Sequence, residues 1–204
     1  MYQATVRKWS GYALEPIAKV IASIGISANA LTITGLIFGI GAGVCIALGR
    51  LKLAGVLILI GGGFDMIDGA VARASNKNTP FGALLDSVVD RYSEGVIFIG
   101  LAIYCSMSRM IDGLVLTCLG LISAFLVSYV RARAEGLQLE CKVGLMQRPE
   151  RVILLSLGVL FRDFSIVNIS ILILVLWIMV ILSHITVFQR VFFASKQFHD
   201  IKAR

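Results

Sequence analysis

The chain has 204 residues, 58% of them hydrophobic and only 15% charged, and its mean hydropathy is +0.90. That composition excludes a soluble globule and describes a single integral membrane domain, 1–204. The net charge of +7 is not a nucleic-acid signature, because positive charge is expected at the cytoplasmic face of a membrane, and no nucleic-acid partner is expected.

In chain order, residues 1–25 read as an interfacial helix. Arg7, Lys8, Glu15 and Lys19 interrupt the apolar core that a signal peptide needs. Tyr2, Val6, Trp9, Ala13, Ile17, Val20 and Ile24 recur at steps of three or four, which predicts an amphipathic helix lying on the membrane surface and bent at Pro16. After a break at Gly25 to Asn29, Asn29 is the expected N-cap of a first span, about 30–48. Arg50 and Lys52 mark a turn into a second span, about 53–74. The polar stretch SNKNTP is a turn, and Pro80 suits the start of a third span, about 81–106. Arg109 marks the next loop. A fourth span, about 111–130, continues as a polar helix through RARAEG.

The fifth apolar run, 152–161, is short for a span and reaches thirteen residues only if its helix starts at Pro149. A sixth span, about 165–185, precedes a basic, aromatic tail (186–204) with Phe188, Arg190, Phe192, Lys196 and Phe198. The expected fold is therefore all-α: a polytopic bundle of six transmembrane helices over 26–185, preceded by the interfacial helix. With both termini inside, only Arg50, Lys52, Arg109 and Arg162 of the nineteen Lys and Arg residues fall outside. This bias places 65–90 on the cytoplasmic side of a cell membrane.

Within that segment Asp65, Asp68, Asp86 and Asp90 stand where two membrane helices are expected. A carboxylate at mid-bilayer costs roughly 2.5–3.5 kcal/mol on insertion scales, so four unpaired ones would cost about 10 kcal/mol. Nothing structural requires four. Asp65 and Asp68 are spaced i,i+3 and Asp86 and Asp90 i,i+4, so each pair shares a helix face. Two helices joined at a short turn would converge these oxygens, and Arg73 and Arg91 would neutralise only two of the charges. Such a pocket suits hard divalent cations, Mg²⁺ first, in a two-metal centre that drives displacement at phosphorus. Gly69 and Gly82 remove side chains beside this face, where a flat group such as a nucleotide can approach. Gly61, Gly62 and Gly63 read instead as helix-packing residues. Thr32, one turn into the first span, either bonds back to its own helix or faces a neighbour or ligand.

These residues spell D-x2-D-G-x2-A-R-x8-G-x3-D-x3-D, which matches the signature of the CDP-alcohol phosphotransferase family without a departure. Eight fixed positions make the resemblance specific, and the hydropathy layout extends it over most of the chain. The resemblance implies that Asp65, Asp68, Asp86 and Asp90 hold two divalent ions, Mg²⁺ or Mn²⁺. It implies a CDP-lipid site of Asp68, Gly69, Ala72, Arg73 and Gly82, with Thr32 beside it, and Asp90 as general base. Transfer from the CDP-linked lipid to an alcohol would release CMP, and the family implies a homodimer.

A second polar centre follows in SYVRARAEGLQLECKVGLMQRPERV. Its cations satisfy the positive-inside rule, yet arginine pairs at the inner ends of consecutive helices also suit a phosphate. The stretch resembles the corresponding part of phosphatidylinositol phosphate synthases and their archaeal-lipid counterparts. That implies inositol 1-phosphate as acceptor and CDP-diacylglycerol or CDP-archaeol as donor. Arg131, Arg133 and Arg151 would bind the acceptor phosphate, and Arg148 and Arg190 join them by their position at the inner face. Other acceptors keep the same chemistry: glycerol 3-phosphate, inositol or serine. A cation carrier using intramembrane carboxylates is the rival from another class, and it leaves Arg73 and the two glycines unexplained. Cys45, Cys105, Cys118 and Cys141 lack metal or CxxC spacing and read as small apolar residues. His184 and His199 read as interfacial.

Overall fold

The structure is a computed structural model in which residues 15–75, 79–166 and 169–202 are described. The first part of the expected interfacial helix, 1–14, lies outside the described residues, as do Lys77 and the side chain of His199. Helix α1 covers 15–23 of the described chain. It turns Ala18 into a small cluster with Leu31, Ala70 and Val71, while Ile17, Val20 and Ile24 are exposed.

Helices α2 (Ala28–Ala47), α3 (Leu51–Ala74), α4 (Pro80–Met107) and α5 (Ile111–Gly136) follow. A short α6 (Arg148–Leu160), a two-rung hairpin of β1 (Ser165–Ile166) and β2 (Ile169–Ser170), and a long α7 (Ile171–Lys202) complete the described chain. Stretches within α2, α3, α5 and α7 are long and apolar enough to cross a membrane. Helix α4 is 28 residues long, but Asp86, Asp90, Arg91 and Glu94 lower its hydropathy. Helix α6, at 13 residues, spans only about 20 Å against a hydrocarbon core of about 30 Å.

Several boundaries differ from expectation for identifiable reasons. Ser27, not Asn29, caps α2, its hydroxyl accepting from the Ala30 N–H at 3.2 Å. Thr79 caps α4 by accepting from the Gly82 N–H at 3.0 Å, and Pro80 takes the first turn, where its missing N–H costs nothing. The sixth apolar helix starts at Ile171, not at 165, because Ser165 and Ile166 pair with Ser170 and Ile169. It also runs past 185, so the basic aromatic segment continues the same helix.

That continuation is stabilised by the α5–α6 connection, which lies along it. The Met146 N–H donates to Thr186 Oγ1 at 2.9 Å, Gln197 Nε2 donates to the Glu140 carbonyl at 2.7 Å, and Arg190 Nε donates to the Val143 carbonyl at 2.8 Å. Arg190 Nη1 also donates to the Val127 carbonyl in α5.

Helix α2 packs on both α3 and α4, α6 bridges α3 and α7, and α5 lies between α4 and α7. The α2–α4 crossing is made by glycine. A Cβ on Gly100 would drive into the Gly43 carbonyl, and one on Gly43 would lie 2.6 Å from the Val96 carbonyl. Gly61 meets Gly35 across α2–α3, with 3.3 Å from an added Cβ to the Gly35 carbonyl, which is the packing use expected for it. The core around Ile46, Ile58, Phe98, Leu101, Leu172 and Leu176 fixes these crossings. The C-terminal part of α3 and the N-terminal part of α4 consequently face each other beside the start of α6.

Candidate active site

Helix periodicity places Asp65 and Asp68 on one face of α3 and Asp86 and Asp90 on one face of α4. Packing brings three of them together: carboxylate oxygens of Asp65, Asp68 and Asp86 all lie within 4.8 Å of one another. Asp68 is buried, and Thr32 donates its hydroxyl to Oδ2 at 2.7 Å. Thr32 Oγ1 also stands 3.1 Å from the Ala28 carbonyl. The single proton belongs to the shorter, charge-assisted bond. Asp86 Oδ1 is buried without a hydrogen-bond partner among the described residues. Three converging carboxylates, one with a buried oxygen that nothing among the described residues satisfies, fit a hard divalent cation with oxygen ligands.

Asp90 lies beside this group rather than inside it. Arg148, the first residue of α6, forks between the two helices, with Nη1 2.6 Å from Asp65 and Nη2 2.9 Å from Asp90. Arg91 is farther, 3.8 Å from Asp90, and donates to the Ser87 carbonyl at 2.6 Å. Arg148 therefore balances carboxylate charge from 58 residues beyond Asp90, a pairing that local sequence does not announce.

One turn beyond Asp90, Glu94 receives Arg151 in a buried fork, Nε–Oε1 2.7 Å and Nη2–Oε2 2.9 Å. Glu94 stands outside the signature, and its one signal in the sequence is an acidic residue at i+4 from Asp90 inside an apolar run. Asp65, Asp68, Asp90, Glu94, Arg148, Arg151 and Thr32 line one cavity of about 40 Å³.

Gly69 and Gly82 are not part of its lining. A Cβ on Gly69 would sit 3.5 Å from Arg73 Nη1, so the Arg73 guanidinium folds back over the glycine while the residue stays exposed. A Cβ on Gly82 would press on the Thr79 hydroxyl at 3.1 Å and on Asn29 Oδ1 at 3.3 Å. Ala72 is half-buried between Val71 and Arg73.

The remaining basic residues divide into two groups. Arg190, 3% exposed, lies within electrostatic reach of Arg131 and Arg151, so arginines from the ends of α5 and α6 and from α7 converge. Arg131 also pairs with Glu135 one turn on, at 2.9 Å. Arg133 is exposed, and Arg148 belongs with the aspartates. Among the four cysteines, Cys105 and Cys141 are buried and all are free.

Comparison with known proteins agrees with this arrangement. The CDP-alcohol phosphatidyltransferase family profile matches residues 25–195. The chain is 38% identical over 188 residues to the archaetidylinositol phosphate synthase of Pyrococcus horikoshii, covering 90% of this chain and 92% of that one. It is 35% identical over 182 residues to the phosphatidylinositol phosphate synthase of Mycobacteroides abscessus, covering 86% and 80%. The crystal structure of Mycobacterium tuberculosis phosphatidylinositol phosphate synthase with CDP-DAG bound superposes with a TM-score of 0.78 at 30% identity, covering 89% and 92%. A second structure of that enzyme, in complex with manganese and citrate, gives the same TM-score and covers 89% and 88%. The acidic cluster offers the oxygen ligand set of a divalent-metal site, and the chain, a membrane transferase, belongs to the CDP-alcohol phosphatidyltransferase family.

Proposed function

We propose that this enzyme transfers a phosphatidyl or archaetidyl group from CDP-diacylglycerol or CDP-archaeol to a hydroxyl of inositol 1-phosphate. The observation that carries the acceptor assignment is the convergence of Arg131, Arg151 and Arg190 beside a cavity that also holds the aspartates. Glu135 and Glu94 neutralise two of the three guanidinium charges; the positive charge that is left suits a phosphate, whose oxygens arginine forks match. The relatives named as inositol phosphate synthases, similar over most of their length, support the same choice. Arg133 and Arg148 extend the basic field on either side.

On the donor side, Gly69, Ala72 and Gly82 leave room for the nucleotide, Arg73 binds its phosphate oxygens, and Thr32 acts by holding Asp68. Asp65, Asp68, Asp86 and Asp90 would hold two divalent ions, Mg²⁺ or Mn²⁺, which supply charge neutralisation for the pyrophosphate and the leaving CMP. The acceptor oxygen forms a bond to the lipid-bearing phosphorus, the bond from that phosphorus to CMP breaks, and Asp90 takes the hydroxyl proton. A site at the cytoplasmic interface lets lipid tails stay between helices while CDP and the acceptor reach it from water. The whole chain serves as one catalytic domain with six membrane crossings, α4 and α6 included. Its N-terminal helix lies at the interface, both termini are cytoplasmic, and the enzyme pairs as a homodimer.

The test is acceptor kinetics. Arg131→Ala and Arg190→Ala should each raise KM for inositol 1-phosphate at least about tenfold, with KM for CDP-diacylglycerol within about twofold, as expected when one phosphate contact is lost. Wild-type acceptor KM in both variants would remove the phosphate site from the account.

A further inference from the structure

Glu94 lies outside the family signature, yet its surroundings make it more than a buried charge. It is 8% exposed and Arg151 1%. They meet through both carboxylate oxygens inside the cavity that Asp65, Asp68 and Asp90 also line. Replacing such a pair by apolar residues is often neutral or stabilising, so stability does not explain its presence in a membrane helix.

The geometry supplies another reason. On α4, Asp90 and Glu94 are one turn apart on the same face; on α6, Arg148 and Arg151 are likewise one turn apart. The two helices are joined by two rungs, Asp90 to Arg148 and Glu94 to Arg151. Glu94 engages Nε and Nη2 of Arg151, and the Met146 carbonyl lies 3.5 Å from Nη1. A guanidinium has five N–H donors, so at least two remain, and a side chain this deeply buried can direct them only within the cavity. Without Glu94, the anionic residues of the lining left to Arg151 are Asp65, Asp68 and Asp90, the groups that the metal and Arg148 require.

We propose that Glu94 is a positioning residue for the acceptor. It holds Arg151 by one edge so that the other edge meets the acceptor phosphate, and it reserves Asp90 for Arg148 and the reacting hydroxyl. This inference rests on the acceptor assignment made above.

The test uses the full-length enzyme in detergent–lipid micelles. Glu94→Gln keeps the size and one acceptor oxygen but loses the charged fork. It should raise KM for inositol 1-phosphate at least about tenfold, while KM for CDP-diacylglycerol and Mn²⁺ binding by calorimetry stay within about twofold. Combined with Arg151→Lys, which cannot form the fork, it should add less than about twofold to the acceptor KM of Arg151→Lys alone. Should Glu94→Gln not fold, Glu94→Asp, which shortens the reach, carries the same prediction. If wild-type enzyme uses inositol 1-phosphate and the folded variant keeps its acceptor KM, or raises both KM values equally, the positioning role is wrong. If wild-type enzyme is indifferent to the acceptor's phosphate, the acceptor assignment falls and this inference with it.

Discussion

Asp68 illustrates how single residues at this centre depend on their partners. Its carboxylate is buried, bonded to Thr32, and grouped with Asp65 and Asp86, so its charge is tolerable only with a counter-charge nearby. Asp68→Ala should abolish CMP release, by at least about a thousandfold, with loss of Mn²⁺ binding in calorimetry; an active Asp68→Ala enzyme would contradict the metal assignment. Thr32→Val keeps the shape but removes a hydrogen bond to a charged group. That bond is worth about 1.5–3 kcal/mol, and the expected effect is weaker Mn²⁺ binding with a folded protein.

Arg148 makes the opposite prediction. Arg148→Ala leaves Asp65 and Asp90 without their fork and should lower the thermal midpoint measured without metal. Added Mn²⁺ should then raise the midpoint more than it does in wild type, because cation binding restores the missing charge. An equal Mn²⁺ shift in both proteins would show that Arg148 does not balance the cluster. At this scale the aspartates were legible because they are costly and close in sequence. Arg148 and Glu94 were not, since each partner lies more than 50 residues away and only packing joins them.

At the scale of elements, glycine crossings and loop ties determine how the aspartate faces meet. Gly100→Val places a branched side chain against the Gly43 carbonyl and should cost about 1–3 kcal/mol or more through overpacking. The readout is a lower thermal midpoint together with loss of activity; a stable, active Gly100→Val enzyme would mean that the α2–α4 contact is slack. Helix positions and most boundaries could be read from hydropathy, Pro80 and the turns. The start and end of α7 could not. Its start depends on a two-rung hairpin too short for a periodic signal. Its polar end looks like a tail because Thr186, Arg190 and Gln197 satisfy carbonyl and amide groups of a distant loop. Thr186→Val would leave the Met146 N–H unpaired, at about 1–3 kcal/mol. Faster amide exchange across 137–147, with unchanged exchange in α2 and α3, is the expected result.

Over the whole molecule, two polar centres adjoin among otherwise apolar helices: Asp65, Asp68, Asp90, Glu94, Arg148 and Arg151 line one cavity, and Arg131 and Arg190 lie outside its lining. In the proposed mechanism the carboxylate centre holds metal, and the arginine centre receives the acceptor. The eight-position signature made the first centre and the reaction class readable, since fixed spacing on two helices translates directly into a shared face. The arginine centre was harder to read because its members come from three elements separated by a loop, and the positive-inside rule predicts arginines in the same places. The carrier alternative does not survive the family assignment. The most direct measurement is CMP release by purified enzyme with CDP-diacylglycerol and Mg²⁺, comparing inositol 1-phosphate with inositol. Metal-dependent release with inositol 1-phosphate and none with inositol is the predicted result. Release that persists in excess chelator, or that proceeds equally well with inositol, would contradict the account.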